Sequence, residues 1–122
     1  MATILVVDDS PVVRRTLEFT LKKQGHTILT AEDGAEALLQ LAHHSVDLIF
    51  SDVSMPNLDG IDLLQRLRGD NRYRTLPVIM LTGSGQNQDR LRAEQAGANG
   101  FLSKPASSQE LIATVNRLVG AS

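Results

Sequence analysis

The sequence has no cysteine and no tryptophan. The first absence excludes disulfides, thiolate nucleophiles and cysteine metal sites together. Aromatic residues make up only 3% of the chain, which leaves little to surround a flavin. There is no run of like charge, and the net charge is −2, so neither nucleic acid nor an anionic lipid surface is a favoured direct partner. No apolar run approaches the ~20 residues that cross a bilayer. Met1 leads straight into a strand pattern rather than a signal sequence. These absences predict a cytoplasmic chain with no membrane association. What is present is ordinary globular composition, 42% apolar and 21% charged. A chain of 122 residues buries roughly two-thirds of its unfolded surface, enough for a core without staples. With no repeat, linker or low-complexity stretch, residues 1–122 read as a single domain.

The chain alternates two kinds of segment. Thr3 to Asp8 is apolar and rich in Val and Ile, the pattern of a strand covered on both faces. Ser10-Pro11 then opens a helix that runs to about Gln24, with Val13, Leu17 and Leu21 inward and Arg14, Glu18 and Lys22 on a solvated stripe. His26–Ala31 is a more polar strand, and a helix over about Ala35–His43 follows Asp33-Gly34. Val46–Ser51 is a third strand, and Ile61, Leu64 and Leu67 mark a short third helix. Pro77–Leu81 is a fourth strand. Gly83-Ser84-Gly85 reads as a hinge before a helix over about Asn87–Ala96, whose single large apolar residue is Leu91. That helix has the weakest predicted attachment. Asn99–Ser103 is the last strand, and Ser107-Ser108-Gln109-Glu110 is a capping box for the last helix.

Five strands alternating with five helices predict an α/β fold, a doubly wound parallel sheet. The uninterrupted apolar strands belong at its centre and the mixed ones at its edges. Right-handed crossovers then give the order 2-1-3-4-5. In such a sheet, ligands gather beyond the carboxyl ends of the strands where the order reverses. Asp8 and Asp9 follow the first strand, Asp52 the third, Thr82 the fourth and Lys104 the last. Three neighbouring carboxylates repel one another, by about 1 kcal/mol per pair ~4 Å apart in water and about 4 kcal/mol at a partly buried site. Either one protonates or a cation resides there, and an all-oxygen donor set favours Mg²⁺ (or Mn²⁺) over Zn²⁺. A carboxylate beside a cation, a hydroxyl and an ammonium is a phosphoryl-transfer site in outline.

Each residue alone has a plainer reading. Asp8-Asp9 can cap a helix, Asp52 can be a turn acid, Thr82 a strand-end hydroxyl and Lys104 a solvated charge. Their placement at successive strand ends is what favours chemistry. Asp59-Gly60 serves the turn, and His26, His43 and His44 lack metal-ligand spacing and read as surface residues.

Taken together, these residues resemble the receiver domain of two-component response regulators, the CheY-like proteins with a flavodoxin-like fold. The match runs from about Thr3 to Val119. It rests on Val7-Asp8-Asp9, on Asp52 with Met55-Pro56 and Asp59-Gly60, on Thr82, and on Lys104-Pro105. The resemblance implies that Asp52 accepts a phosphoryl group from a histidine kinase or a histidine phosphotransfer protein. It implies Mg²⁺ on Asp9, Asp52 and the Ser54 carbonyl, with Asp8 acting through water. Thr82 and Lys104 would meet the phosphoryl oxygens, Lys104–Pro105 would be cis, and Thr82 and Phe101 would form the switch. Ser54 and Ser84 fall where relatives tune the lifetime of the phosphoaspartate.

Output would pass through the fourth helix, fifth strand and fifth helix to a partner, from a monomer or a phosphorylation-dependent dimer. Moving such a switch from 1:99 to 99:1 requires about 5.5 kcal/mol. The resemblance also implies a signalling module that catalyses only its own phosphorylation and dephosphorylation, not an enzyme acting on a metabolite. Two other classes fit less well. A haloacid-dehalogenase-like phosphatase needs an Asp-x-Asp after the first strand and a cap, whereas the nucleophile candidate here, Asp52, follows the third strand and there is no room for a cap. A flavodoxin-like electron carrier needs a phosphate loop where Asp8-Asp9 stands. The chain is expected to be either a stand-alone regulator or a receiver from a larger regulator or hybrid kinase.

Overall fold

A computed structural model describes residues 1–83 and 87–119. The elements run β1 (Thr3–Val7), α1 (Pro11–Lys22), β2 (Thr27–Ala31), α2 (Gly34–His43), β3 (Leu48–Asp52), α3 (Gly60–Arg68), β4 (Val78–Thr82), α4 (Asn87–Ala96), β5 (Gly100–Ser103) and α5 (Ser108–Val119). The five strands form one parallel sheet in the order β2-β1-β3-β4-β5. The two polar strands are at the edges, because an edge strand has one side open to water.

Side chains alternate across a strand, so each central strand feeds two cores. Leu5, Val7, Ile49 and Met80 face one side, where α2, α3 and α4 cover them with Leu41, Leu63, Leu67 and Ala93. Ile4, Val6, Phe50 and Leu81 face the other, under α1 and α5 with Leu17, Leu21, Leu111 and Val115. Helix starts are capped as the sequence indicates. Ser10, Asp33 and Asp59 accept from the N–H groups of Val13, Glu36 and Asp62, and Ser107 and Glu110 bond reciprocally ahead of α5.

Two expectations about helices are corrected. Leu91 does not anchor α4: its side chain is 58% exposed, and the buried residue of that helix is Ala93. The helix is nearly all polar, so only a small residue is needed where it crosses α3. Arg14 does not lie on a solvated stripe with Glu18 and Lys22. Those two do form an exposed i,i+4 pair at 2.9 Å, but the Arg14 side chain is only 16% exposed and turns back toward the β1–α1 loop. The hinge reading of Gly83-Ser84-Gly85 falls largely outside the described residues.

The edge away from the strand carboxyl ends is fastened by Arg68. Its guanidinium donates to the carbonyls of Gly97, Tyr73 and Leu76 and to Asn99 Oδ1, at 2.8–3.1 Å. Asn99 Oδ1 also accepts from the Val78 N–H at the start of β4. One side chain thereby joins α3, the α3–β4 loop, the end of α4 and the start of β5.

Candidate metal and phosphoryl site

The register of the sheet assembles the site. Val7 pairs with Ser51, so Asp8 and Asp52 emerge side by side at the ends of β1 and β3. Asp52 pairs with Leu81, which puts Thr82 next along the same edge. Thr82 pairs with Ser103, and its carbonyl accepts from the Lys104 N–H at 2.8 Å. The Lys104–Pro105 peptide is cis. The Lys104 ammonium reaches back across β4 to Asp8 Oδ2 at 3.0 Å and to Asp52 Oδ2 at 3.1 Å.

Asp8 is fully buried, Asp52 nearly so, Thr82 is buried and Asp9 is exposed. One carboxylate oxygen each from Asp8, Asp9 and Asp52 fits within a 4.8 Å cluster. Asp8 Oδ1 accepts from the Ser10 N–H at 2.9 Å. Asp8 Oδ2 has the Lys104 ammonium, at 3.0 Å, as its one positive partner among the described residues. Three carboxylates thus face a single ammonium, a deficit that one divalent cation would neutralise.

The electrostatics agree with that deficit. Burial pushes the Asp52 carboxyl above its ordinary pKa, and the neighbouring Asp8 charge adds to this, against the opposing pull of Lys104 and the Ser54 backbone. Burial alone would lower the Lys104 ammonium. The hydrogen bonds and charges of Asp8 and Asp52 together outweigh it and hold the ammonium above its usual value. A carboxylate short of positive charge and a lysine surrounded by negative charge are two views of one imbalance.

Local folding explains why Asp52 is presented here. After β3 the chain turns through Asn57, which is left-handed with φ 65° and donates from Nδ2 to Asp33 Oδ2 at 2.7 Å. Gly60 then returns to the strand end, its N–H donating to the Val53 carbonyl at 2.9 Å. A side chain at Gly60 would collide with the Asp52 carbonyl oxygen, so only glycine permits this approach.

The remaining expected residues are placed as follows. Ser54 is exposed next to Asp52, and Phe101 on β5 is half-buried against the α3–α4 core with the Arg90 guanidinium 5.2 Å from its ring centre. Ser84 is outside the described residues. His43 caps its own helix through the Leu39 carbonyl and His44 is exposed, but His26 is half-buried and accepts from the Ala2 N–H at Nδ1. Sequence reasoning missed Asn57 and Arg14. Asn is among the few residues that tolerate positive φ, a signal available between Pro56 and Asp59.

A doubly wound sheet whose switch point carries a carboxylate cluster closed by a lysine fits a divalent cation. The model for the response regulator receiver domain matches residues 4–116. The chain belongs to that family. It is 41% identical over 96% of its length to response regulator Rre1 of Synechocystis, of which it spans 51%. It is 34% identical over 98% of its length to protein PilH of Pseudomonas aeruginosa, of which it spans 98%. The chain therefore spans about half the length of some curated relatives it matches and nearly all of others. Among solved structures it resembles the receiver domain of the sensor histidine kinase PA1611 from Pseudomonas aeruginosa, with 32% identity, TM-score 0.90 and 98% coverage of both chains. That structure has a magnesium ion in its active-site cleft.

Proposed function

We propose that this chain is a phosphoacceptor: the Asp52 carboxylate takes a phosphoryl group from a phosphohistidine on a kinase or phosphotransfer protein. The supporting observation is the position of Asp52, a strand-end carboxylate joined to Lys104 at 3.1 Å inside the acidic cluster. An Asp52 oxygen attacks in line, the phosphorus–nitrogen bond breaks as the phosphorus–oxygen bond forms, and the imidazole nitrogen leaves. Asp8, Asp9, Asp52 and the Ser54 carbonyl would hold Mg²⁺ or Mn²⁺, with Asp8 acting through water. Bound there, the ion would supply charge neutralisation for the phosphoryl oxygens. Lys104, already shared between two carboxylates, would turn to the new oxygens, and the Thr82 hydroxyl would donate to them.

The new dianion would then work through Thr82 and Phe101 on the α4–β5–α5 surface. The shallow attachment of α4, with Ala93 buried and Leu91 exposed, suits an element that moves at low cost. The donor protein has an apolar surface to meet. A hollow of about 270 Å³ lined by Val12, Val13, Leu17, Pro105 and Ala106 opens beside Lys104. On this reading the chain acts on no metabolite, works in the cytoplasm, and signals as a monomer or as a dimer formed on phosphorylation. Incubation with acetyl phosphate and Mg²⁺ tests the chemistry by intact mass: the parent gains one phosphoryl group and Asp52→Asn gains none. Labelling retained in Asp52→Asn overturns the assignment.

A further inference from the structure

We propose that Arg14 is a positioning residue for the cation pocket, acting through the peptide that joins Asp8 to Asp9; the inference rests on the phosphoacceptor reading of that pocket. Arg14 lies four residues past the N-cap Ser10. Helical side chains lean toward the N-terminus, so from this position the guanidinium reaches over the first turn into the β1–α1 loop. There Nη1 donates to the Asp8 carbonyl at 2.6 Å, a short charge-assisted bond.

That bond outweighs the other contact Arg14 makes. Among the described residues the one carboxylate it pairs with is Glu32, 3.7 Å away with its side chain 68% exposed, a pair too loose and too wet to place the side chain. The carbonyl it grips belongs to a planar unit, so fixing that oxygen also fixes the Asp9 N–H and the position of the Cα from which the Asp9 side chain departs. Asp8 is held independently, through its N–H to the Ala31 carbonyl at 3.1 Å and its Oδ1 to the Ser10 N–H at 2.9 Å. Asp9 is not. Among the described residues its carboxylate has no hydrogen bond or ion pair, and it lies on the exposed side of the cluster. Arg14 is therefore the side chain that orients the peptide from which the otherwise unheld ligand departs.

The sign of the effect separates positioning from simple charge. A cation near an acidic pocket repels an incoming divalent ion, so if Arg14 acted only by its charge, removing it would tighten metal binding. If it positions the peptide, removal weakens binding. Loss of a hydrogen bond behind metal-ligating groups costs 10–100-fold in affinity.

The experiment titrates Mn²⁺ into the full chain and follows free Mn²⁺ by electron paramagnetic resonance, at a temperature where circular dichroism shows the protein folded. Arg14→Ala and Arg14→Met, the latter keeping the packing of the stem, are expected to bind about tenfold more weakly. Glu32→Gln, which spares the bond to Asp8, is expected to match the parent. A loss of fold stability alone does not move the affinity of molecules that remain folded. Unchanged or tighter binding by the Arg14 variants overturns the proposal while leaving the phosphoacceptor reading intact. A parent that binds no Mn²⁺ overturns both.

Discussion

His26 and Asp52 are both covered by the fold, and burial moves them in ways that oppose each other with pH. Desolvation lowers the His26 pKa from 6.5, and the positive amino terminus adds to it, so the folded state favours the neutral ring that accepts from Ala2. A base whose pKa is depressed on folding gives stability that is complete above its unfolded pKa and falls as the pH drops through it. Urea midpoints should therefore decline between pH 7.5 and 5.5, and His26→Gln should flatten that slope relative to the parent. Equal slopes in the two proteins would refute this account of His26. Asp52 runs the other way. Its carboxyl is raised mainly by burial, so its charged form costs stability at neutral pH, and that cost fades on acidification.

At the scale of elements, the strands were legible and the helix contacts less so. Continuous Val and Ile runs mark β1, β3 and β4 because a strand buried on both faces has no polar position to spare. The functional acids were legible for a related reason, since each ends such a run. Leu91 misled because the chain shows that a residue is apolar, not which side of a short helix meets the body; the polar face of α4 gives no stripe to read. Arg14 was illegible as part of the site because i,i+4 charge spacing looks the same whether the arginine points along the helix or back over its start. The difference in α4 is measurable in denaturant. Leu91→Ser should change stability by no more than about 0.5 kcal/mol, as for an exposed side chain. Ala93→Leu should cost about 1–3 kcal/mol, because the extra volume has nowhere to go beneath the helix. A larger loss from Leu91→Ser than from Ala93→Leu would reverse the placement of the helix.

Across the whole molecule, the stability of the fold and the charge of the site are set against each other. The sheet brings Asp8, Asp9 and Asp52 together beyond its carboxyl edge, and one lysine cannot balance them. The apo protein is therefore less stable than its core would allow, and a ligand that restores the balance stabilises the fold by mass action. Mg²⁺ at 100 times its dissociation constant should add about 2.7 kcal/mol to the unfolding free energy. Asp52→Asn should raise the melting temperature without metal and gain less from Mg²⁺. A parent melting temperature indifferent to Mg²⁺ would contradict this balance.

The Arg68 junction at the other edge of the sheet follows different rules. Its acceptors are three peptide carbonyls and one amide oxygen, none of which takes up a proton in ordinary acid or forms an ion pair that added electrolyte can weaken. Brine or vinegar-strength acidity would trouble the carboxylate mouth first, while this rivet between α3, α4 and β5 keeps its grip.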